Sequence, residues 1–537
     1  MASAPARGAQ SQGLFIRILL ATGLLALILV SYLSAWTGGG FYLVGAMVGL
    51  IGLVVLLRKP VVGVFILMTT FLFTYPEALR GAGNITINNM LGLLLVPLML
   101  FEMIRDGRWW PLKFKPFFLF LVIAMSLIIS SNTYTGQTGA SELIEQKSEV
   151  KVETSNRAQG PALVSTRDMA TKYITRLIFL LLFVYFMRTN RDLTGVVLIL
   201  VVAMLVTYFS VSLGAGAAGW GTGRLRTMSD AGGAVYAGRN PNKLSYFALL
   251  VLTLMWYGRR AIKWPILYPL WAALCSLTFV MIPLTGSRSG MLNLLLFVLI
   301  VLLEDKFSYR KIVGLAGIVF AVVVQLGYQT SILDLVLPAE TAERLEKLQV
   351  RSEVVEDEGV AATGSLGGRF RTAQSALMIF QEHPAFGVGI GNFDEERAAV
   401  DPFGVVGPPH DSYLWALAEG GLTVFFLYLT LFAYTFLRIN EIRWEYEARF
   451  GPMKLGWLVA GMRTVLIGFM FFSLFADMWY HDFFFILIGI SLSLIHLHEE
   501  YATTGKIPEP FRLGGLGKQE DMASRRPVLL GMARTGA

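Results

Sequence analysis

Residues Leu193–Leu213 read LTGVVLILVVAMLVTYFSVSL, an apolar run without one charged side chain. About 20 such residues wound as a helix cross the hydrocarbon core of a bilayer, where only internal hydrogen bonding satisfies the backbone. Arg188 and Arg191 stand just before the run, and a long irregular stretch from Gly214 to Arg239 follows it. Because cationic residues concentrate in short cytoplasmic loops, this segment starts on the inside and ends on the outside.

Working outward, the same rule marks about fourteen spans, near 14–34, 41–57, 60–76, 89–104, 115–131, 173–187, 193–213, 241–257, 264–284, 289–303, 311–328, 411–437, 455–476 and 480–497. Composition agrees: 537 residues, 55% hydrophobic and 15% charged, are too apolar and too long for one soluble core. The expected fold class is all-α, a polytopic membrane protein with about 12 to 14 transmembrane helices. The first run is too long for a signal-peptide core and no small-residue cleavage site follows it, so it reads as a retained span. The single cysteine, Cys275, lies in an apolar run, which excludes an intrachain disulfide and a cysteine-based metal cluster. The net charge of +8 is accounted for by loop orientation rather than by nucleic-acid binding.

Alternate connections carry Arg58 and Lys59; Arg105, Arg108, Lys113 and Lys115; Arg188 and Arg191; Arg259, Arg260 and Lys263; Lys306, Arg310 and Lys311; and Arg438, Arg443 and Arg449. These loops and both termini are expected in the cytoplasm. The long connections, Ser131 to Lys172, Gly214 to Arg239 and Gly327 to Pro409, then fall outside, and loops of such length are usually functional or disordered. The expected organisation is a bundle of about eleven spans over 1–326, a large periplasmic or extracellular loop over 327–410, transmembrane helices over 411–498 and a disordered cytoplasmic tail over 499–537. The large loop carries its own helical signals, TAERLEKLQV and then a stretch from Ser365 with Leu366, Phe370, Ala373, Leu377 and Phe380 at helical spacing. The second reads as an amphipathic helix lying on the membrane or on the spans.

Arginines on the outer side run against the orientation bias. They are Arg224 and Arg226 in GTGRLRT, Arg239 in GRNPN, Arg288 in TGSRSG, and Arg369 and Arg371 in GGRFR. Guanidinium binds phosphate through paired hydrogen bonds, so such a cluster suits a diphosphate, while any one of them alone could equally serve lipid headgroups or solvation. Asn240 and Pro241 read as a helix N-cap and first helical position, aiming a positive helix end at the same region. Arg369 and Arg371 lie about 100° to either side of Phe370, and periodicity does not choose between them.

Of five histidines, His496 and His498 fall at the cytoplasmic end of the last span, leaving His383, His410 and His481 outside. His410, after Pro408 and Pro409 at the mouth of a span, could be a capping histidine or a base that accepts a proton from a hydroxyl nucleophile. His481, in MWYHDFFF, is explained by an interfacial aromatic belt. Glu419, about two turns into the same span as His410, is a carboxylate that needs a partner; a buried pairing with an arginine and a catalytic duty stand level. No D-x-D pair and no H-E-x-x-H is present, so neither a nucleotide-sugar metal site nor a zinc site is indicated and no cofactor is expected.

The pattern G-R, then P-x-x-G-x-G-x-x-x-F, then H-x-S-Y-L-x-x-x-x-E-x-G resembles the O-antigen ligase and O-antigen polymerase superfamily. Here it reads Gly368-Arg369, Pro384 to Phe393, and His410 onward. TGSRSG and NPN are similar to the family's outer segments, and the spacing from the arginine to Pro384 favours Arg369 over Arg371. The resemblance covers roughly the second half of the chain. It implies a metal-independent glycosyltransferase of the inner membrane that works on its outer face with an undecaprenyl-diphosphate-linked glycan as donor. On that reading His410 activates the acceptor hydroxyl for inverting attack. Arg288 and Arg369 hold the leaving diphosphate, with Arg239, Arg371 and Arg224 as further candidates and Asp411, Tyr413 and Glu419 in support. Asp411 stands where many members have asparagine; a carboxylate there could orient the imidazole or stabilise its charged form. The acceptor, whether lipid A-core, a growing glycan or a protein hydroxyl, is not encoded in any pattern here. A flippase or transporter of lipid-linked oligosaccharide would have a similar span count. Transporters tend, however, to place polar groups near the midplane, whereas these cluster at the outer ends.

Overall fold

The computed structural model describes residues 52–72, 87–106, 115–133, 166–214, 241–262, 264–285, 287–304, 365–400, 409–449, 455–479 and 481–504. The chain divides into two compact units, Met1–Pro60 with Phe511–Ala537, and Val61–Pro510. Of the first, 52–60 are described and form a helix over 52–58. From Pro60 the described residues form α1 (Pro60–Leu72), α2 (Ile87–Asp106), α3 (Lys115–Thr133), α4 (Thr166–Phe186), α5 (Asn190–Gly214), α6 (Pro241–Gly258), α7 (Tyr268–Leu284), α8 (Arg288–Glu304), α9 (Ser365–Glu382), α10 (Phe393–Val400), α11 (Ser412–Arg449), α12 (Gly456–Phe472) and α13 (Asp482–Thr504). No strand occurs among them.

Eleven of the fourteen expected spans coincide with one of these helices. The other three, 14–34, 41–57 and 311–328, lie wholly or largely outside the described residues, as do TAERLEKLQV, Arg224, Arg226, Arg239 and the tail beyond 504. Among the described residues five helical segments are long and apolar enough to cross a membrane: Met169–Phe186, Asn190–Phe209, Pro265–Pro283, Ser412–Ile442 and Asp482–Thr504. Pro116–Ser130, Arg288–Leu303 and Gly456–Phe472 are apolar but shorter.

A helix that is apolar all round belongs inside a bundle, and α13 is one: every residue from Asp482 to Ile495 is buried. It packs against α4, α11 and α12, while α6 gathers α5, α7, α8 and α12. Aromatic rings fill the junction. Phe247 stacks on Phe483 at 5.1 Å, Phe432 on Phe469 at 5.5 Å, and Tyr428 meets Trp479 edge-on at 4.8 Å, geometries that add to the burial itself.

The bundle has two polar ends. At one, the buried Arg188 guanidinium donates to both oxygens of Glu102 at 3.4 and 3.5 Å, pairing two charges that neither could keep alone. Arg438 donates to Glu499 at 2.8 Å at the same end, where α11 and α13 finish. Basic loops expected to share a side are thus joined there. The opposite end gathers the end of α3, the starts of α6, α8, α11 and α13, and the turns 383–392 and 473–481.

Ser365–Glu382 is helical as expected, but its apolar stripe does not face the protein. The side packed on α11 is Thr372, Ser375, Ala376 and Ile379, all buried, whereas Phe370 is 76% and Leu377 45% exposed. Thr372, Ser375 and Ala376 are small enough to let two helices approach closely, and Phe370 and Leu377 are turned away from the bundle.

Candidate functional site

The glycine-rich turn and the α11 helix are one unit. Gly387, Gly389 and Gly391 have φ of 65°, 84° and 83°, the left-handed region that glycine enters freely. They bend the chain from α9 back into α10. Opposite them α11 is broken at Gly421 (φ 61°, ψ −166°). Carbonyls released from the helix ladder, those of Ala418 and Glu419, accept the amides of Val388 and Gly389 at 3.0 and 2.8 Å. In return Leu422 and Thr423 donate their amides to Pro384 and Ala385 at 2.9 and 3.2 Å. The backbones cross so closely that a Cβ on Gly387 would stand 2.4 Å from the Glu419 carbonyl carbon, and one on Gly421 2.5 Å from that of Ala385. Ser130 of α3 donates to the carbonyls of Phe386 and Gly387 at 2.9 and 3.0 Å.

Glu419, weighed between an arginine partner and a catalytic duty, meets this turn: its carboxylate Oε1 accepts the Gly391 amide at 3.0 Å. Glu419 is 1% exposed and acts as a brace between α11 and the turn.

His410 is the one non-glycine residue with positive φ, 55°, among the described residues. Left-handed backbone is unfavourable for a side chain with a Cβ and is worth noting when it falls on a candidate catalytic group. The residue after it, Asp411, does not serve the imidazole: its Oδ1 accepts the amides of Tyr413 and Leu414 at 2.8 and 3.1 Å. It is the N-cap of α11. Burial raises its carboxyl above the ordinary value, and those two amides pull it part of the way back. The carboxylate facing His410 is Asp477, with Oδ1 3.8 Å from Nδ1. Lys243 Nζ holds the other side of Asp477, 2.9 Å from Oδ2. Burial alone would raise the Asp477 carboxyl, but hydrogen bonding and charge from His410 and Lys243 outweigh it and hold it well below the ordinary range.

The rest of the H-D-S-Y segment fixes that pair. Ser412, fully buried, donates through Oγ to the Ala476 carbonyl at 2.7 Å and accepts the Met478 amide at 2.8 Å, while its own amide goes to Ser473 at 2.8 Å. The turn bearing Asp477 is therefore fastened to the residue two after His410. Tyr413 reaches across to α12, donating to the Met470 carbonyl at 2.9 Å.

Arg288 is exposed at the first position of α8. Ser287 caps this helix, its Oγ accepting the Gly290 amide at 3.1 Å, and donates to Asn242 Oδ1 at 2.8 Å. A Cβ on Gly290 would lie 2.4 Å from Ser245 Oγ, so the starts of α6 and α8 are pressed together. A continuous path runs from Arg288 through Ser287 and Asn242 to Lys243, Asp477 and His410. Arg369 and Arg371, both half-buried, flank the α11-facing side of α9, so helix face does not separate them. Val388 of the turn, Ala418 of α11, and Ala376 and Ile379 of α9 share one apolar cluster with Phe393, which ties the arginine-bearing helix to the His410 span. Arg239, Arg224 and Arg226 lie outside the described residues.

The remaining histidines sit elsewhere. His481 is buried, lies tilted against the Phe483 ring at 4.5 Å and accepts the Phe483 amide at 3.3 Å; burial first, then Lys243 and Arg176, hold it well below its ordinary value. His496 faces Glu500 at 3.5 Å near the end of α13. His383 lies with Glu382 and Glu396, three residues whose ligand atoms fall within 4.8 Å of one another.

Sequence reasoning missed Asp477 and Lys243. Their signal was position: each is a charged residue at the end of an apolar span, one in FADMW and the other in NPNKL. Comparison with curated proteins found no match. A family profile described as O-antigen ligase matches residues 271–429. That interval takes in Arg288, Arg369, Arg371, the glycine turn, His410 and the break in α11, while Lys243 and Asp477 lie beyond it. As its motifs implied, this part of the chain, residues 271–429, is similar to the O-antigen ligase family.

Proposed function

We propose that this protein is a glycosyltransferase that moves a glycan from an undecaprenyl-diphosphate-linked donor to an acceptor hydroxyl, at the outer face of the inner membrane. The observation that carries the reading is the placement of His410: at the mouth of α11, in left-handed backbone, with the Asp477 carboxylate on its Nδ1 side. A carboxylate there favours the tautomer protonated at Nδ1 and leaves the Nε2 lone pair for the acceptor. His410 takes the acceptor hydroxyl proton as the oxygen attacks the anomeric carbon. The bond from that carbon to the diphosphate oxygen breaks with inversion, and the electron pair leaves with undecaprenyl diphosphate. Arg288 and Arg369, with Arg371, Arg239 and Arg224 as further candidates, neutralise the charge that develops on the leaving group. Asp477 and Lys243 position the base, and Asp411, Tyr413, Ser412 and Glu419 hold the frame around it.

The exposed apolar stripe of α9 supports a seat at the bilayer surface, where a lipid-linked donor is presented. Ligase, polymerase and protein O-oligosaccharyltransferase readings share this chemistry and differ in the acceptor.

The test is transfer by the purified full-length protein in detergent, given lipid-diphosphate glycan and acceptor. His410→Ala and Arg369→Ala should each lose most activity while still inserting and binding donor lipid; normal turnover by either would remove it from the site. If His410→Ala preserved transfer and abolished transbilayer movement of the lipid-linked glycan, the transporter reading would replace this one.

A further inference from the structure

We infer that Glu382, His383 and Glu396 form a site for a divalent metal ion of the zinc class, which clamps the end of α9 to the start of α10. One atom from each, an imidazole nitrogen and two carboxylate oxygens, lies within 4.8 Å of the others. Three ligands about 2.1 Å from one tetrahedral ion stand roughly 3.4 Å apart, a closure within reach of side-chain rotation. A nitrogen together with two anionic oxygens suits zinc-type ions better than calcium or magnesium, whose sites are built from oxygen alone.

Exposed acidic groups are commonly solvated without any ion, and Glu382 by itself would be read that way. Glu396 is different. It is 2% exposed, and its Oε2 is buried without a hydrogen-bond partner. An ionised carboxylate in such a place is strongly unfavourable unless something compensates it, and a cation shared with His383 and Glu382 supplies the missing partner.

The backbone holds the three in place. His383 donates its amide to Ile379 and accepts that of Gly387, both at 3.0 Å, and Glu396 donates its amide to Asn392 at 3.0 Å. The ligands therefore bracket the glycine turn in the chain, two before it and one after it. The ion would fix the shape of that turn, and no step of glycan transfer uses it.

Full-length protein in detergent, stripped with chelator and desalted, is titrated with Zn²⁺ alone and followed by thermal melting and by metal content after gel filtration. About one zinc per chain should be retained, with a saturable rise in Tm. Both effects should vanish in Glu382→Gln and His383→Ala, whose side chains are accessible enough to be replaced without unfolding the protein. Glu396→Gln, which removes the buried charge, should melt no lower than the stripped wild type yet ignore zinc. No retained zinc, undiminished retention in Glu382→Gln and His383→Ala, or an equal response to Mg²⁺ or Ca²⁺ would overturn the site. No glycan enters the assay, so its outcome is independent of the proposed transfer reaction.

Discussion

Asp477 stands between His410 and Lys243, one carboxylate oxygen 3.8 Å from the His410 Nδ1 and the other 2.9 Å from the Lys243 Nζ. The lysine keeps the carboxylate from turning away, and the Ser412 bonds to Ala476 and Met478 keep its turn against the start of α11. Asp477→Asn preserves shape but removes the charge that steadies an imidazolium. Transfer should fall by about 10²-fold or more, in kcat rather than in KM for the donor. A rate within a factor of two of wild type in a steady-state assay would show that Asp477 does not act on the base.

The same residue gives a pH signature. Its carboxyl is depressed in the folded protein, so the stability it contributes is present above the unfolded value of about 3.9 and is lost as pH falls through the folded value. The difference in Tm between wild type and Asp477→Asn should therefore shrink as the pH is lowered below about 4. A difference that grows on acidification would contradict the assignment.

Asp411 and His410 are neighbours in sequence with unrelated duties. If Asp411 is an N-cap, Asp411→Asn keeps the acceptor and leaves activity and stability near wild type, while Asp411→Ala loses about 1 kcal/mol. Thermal melting with a transfer assay separates this from a role at the imidazole, in which both variants would lose activity alike.

The crossing of the glycine turn over α11 leaves no room for a methyl group. Gly387→Ala and Gly421→Ala each combine a positive φ with contacts of 2.4 and 2.5 Å to backbone carbon; the φ alone costs roughly 1–3 kcal/mol. Gly461→Ala is the control, since its Cβ would meet Leu254 at an ordinary 3.4 Å. Size-exclusion recovery and melting in detergent should show the first two poorly folded and the third at least as stable as wild type.

The helices were legible because an apolar run of about 20 residues has one economical fate in a bilayer. The motif segments were legible too, but their internal division of labour was not. The glycines of P-x-x-G-x-G suggest a turn; that α11, read as one unbroken span, breaks at Gly421 and crosses that turn depends on hydrogen bonds between segments that no local pattern encodes. Asp411 lies beside His410 in the chain and Asp477 far from it, yet the left-handed backbone at His410 and the start of α11 commit the nearer carboxylate to the helix end. In α9, periodicity found the apolar stripe of Phe370 and Leu377. It could not tell that small residues would face the protein, because in a membrane protein both sides of a helix have apolar surroundings.

The left-handed backbone at His410 separates function from stability. At an ordinary helical position Gly is less stable than Ala by about 0.5–1 kcal/mol, but at φ 55° the order should invert, because a Cβ costs roughly 1–2 kcal/mol in that region. The His410 side chain is 39% exposed, so its removal forfeits little packing. His410→Gly and His410→Ala should be equally inactive, with the glycine variant melting higher than the alanine variant and no lower than wild type. The comparison is made on pure protein in one detergent. An alanine variant as stable as the glycine one would mean that the backbone at this position relaxes in the membrane-extracted protein and that no strain is held at the base.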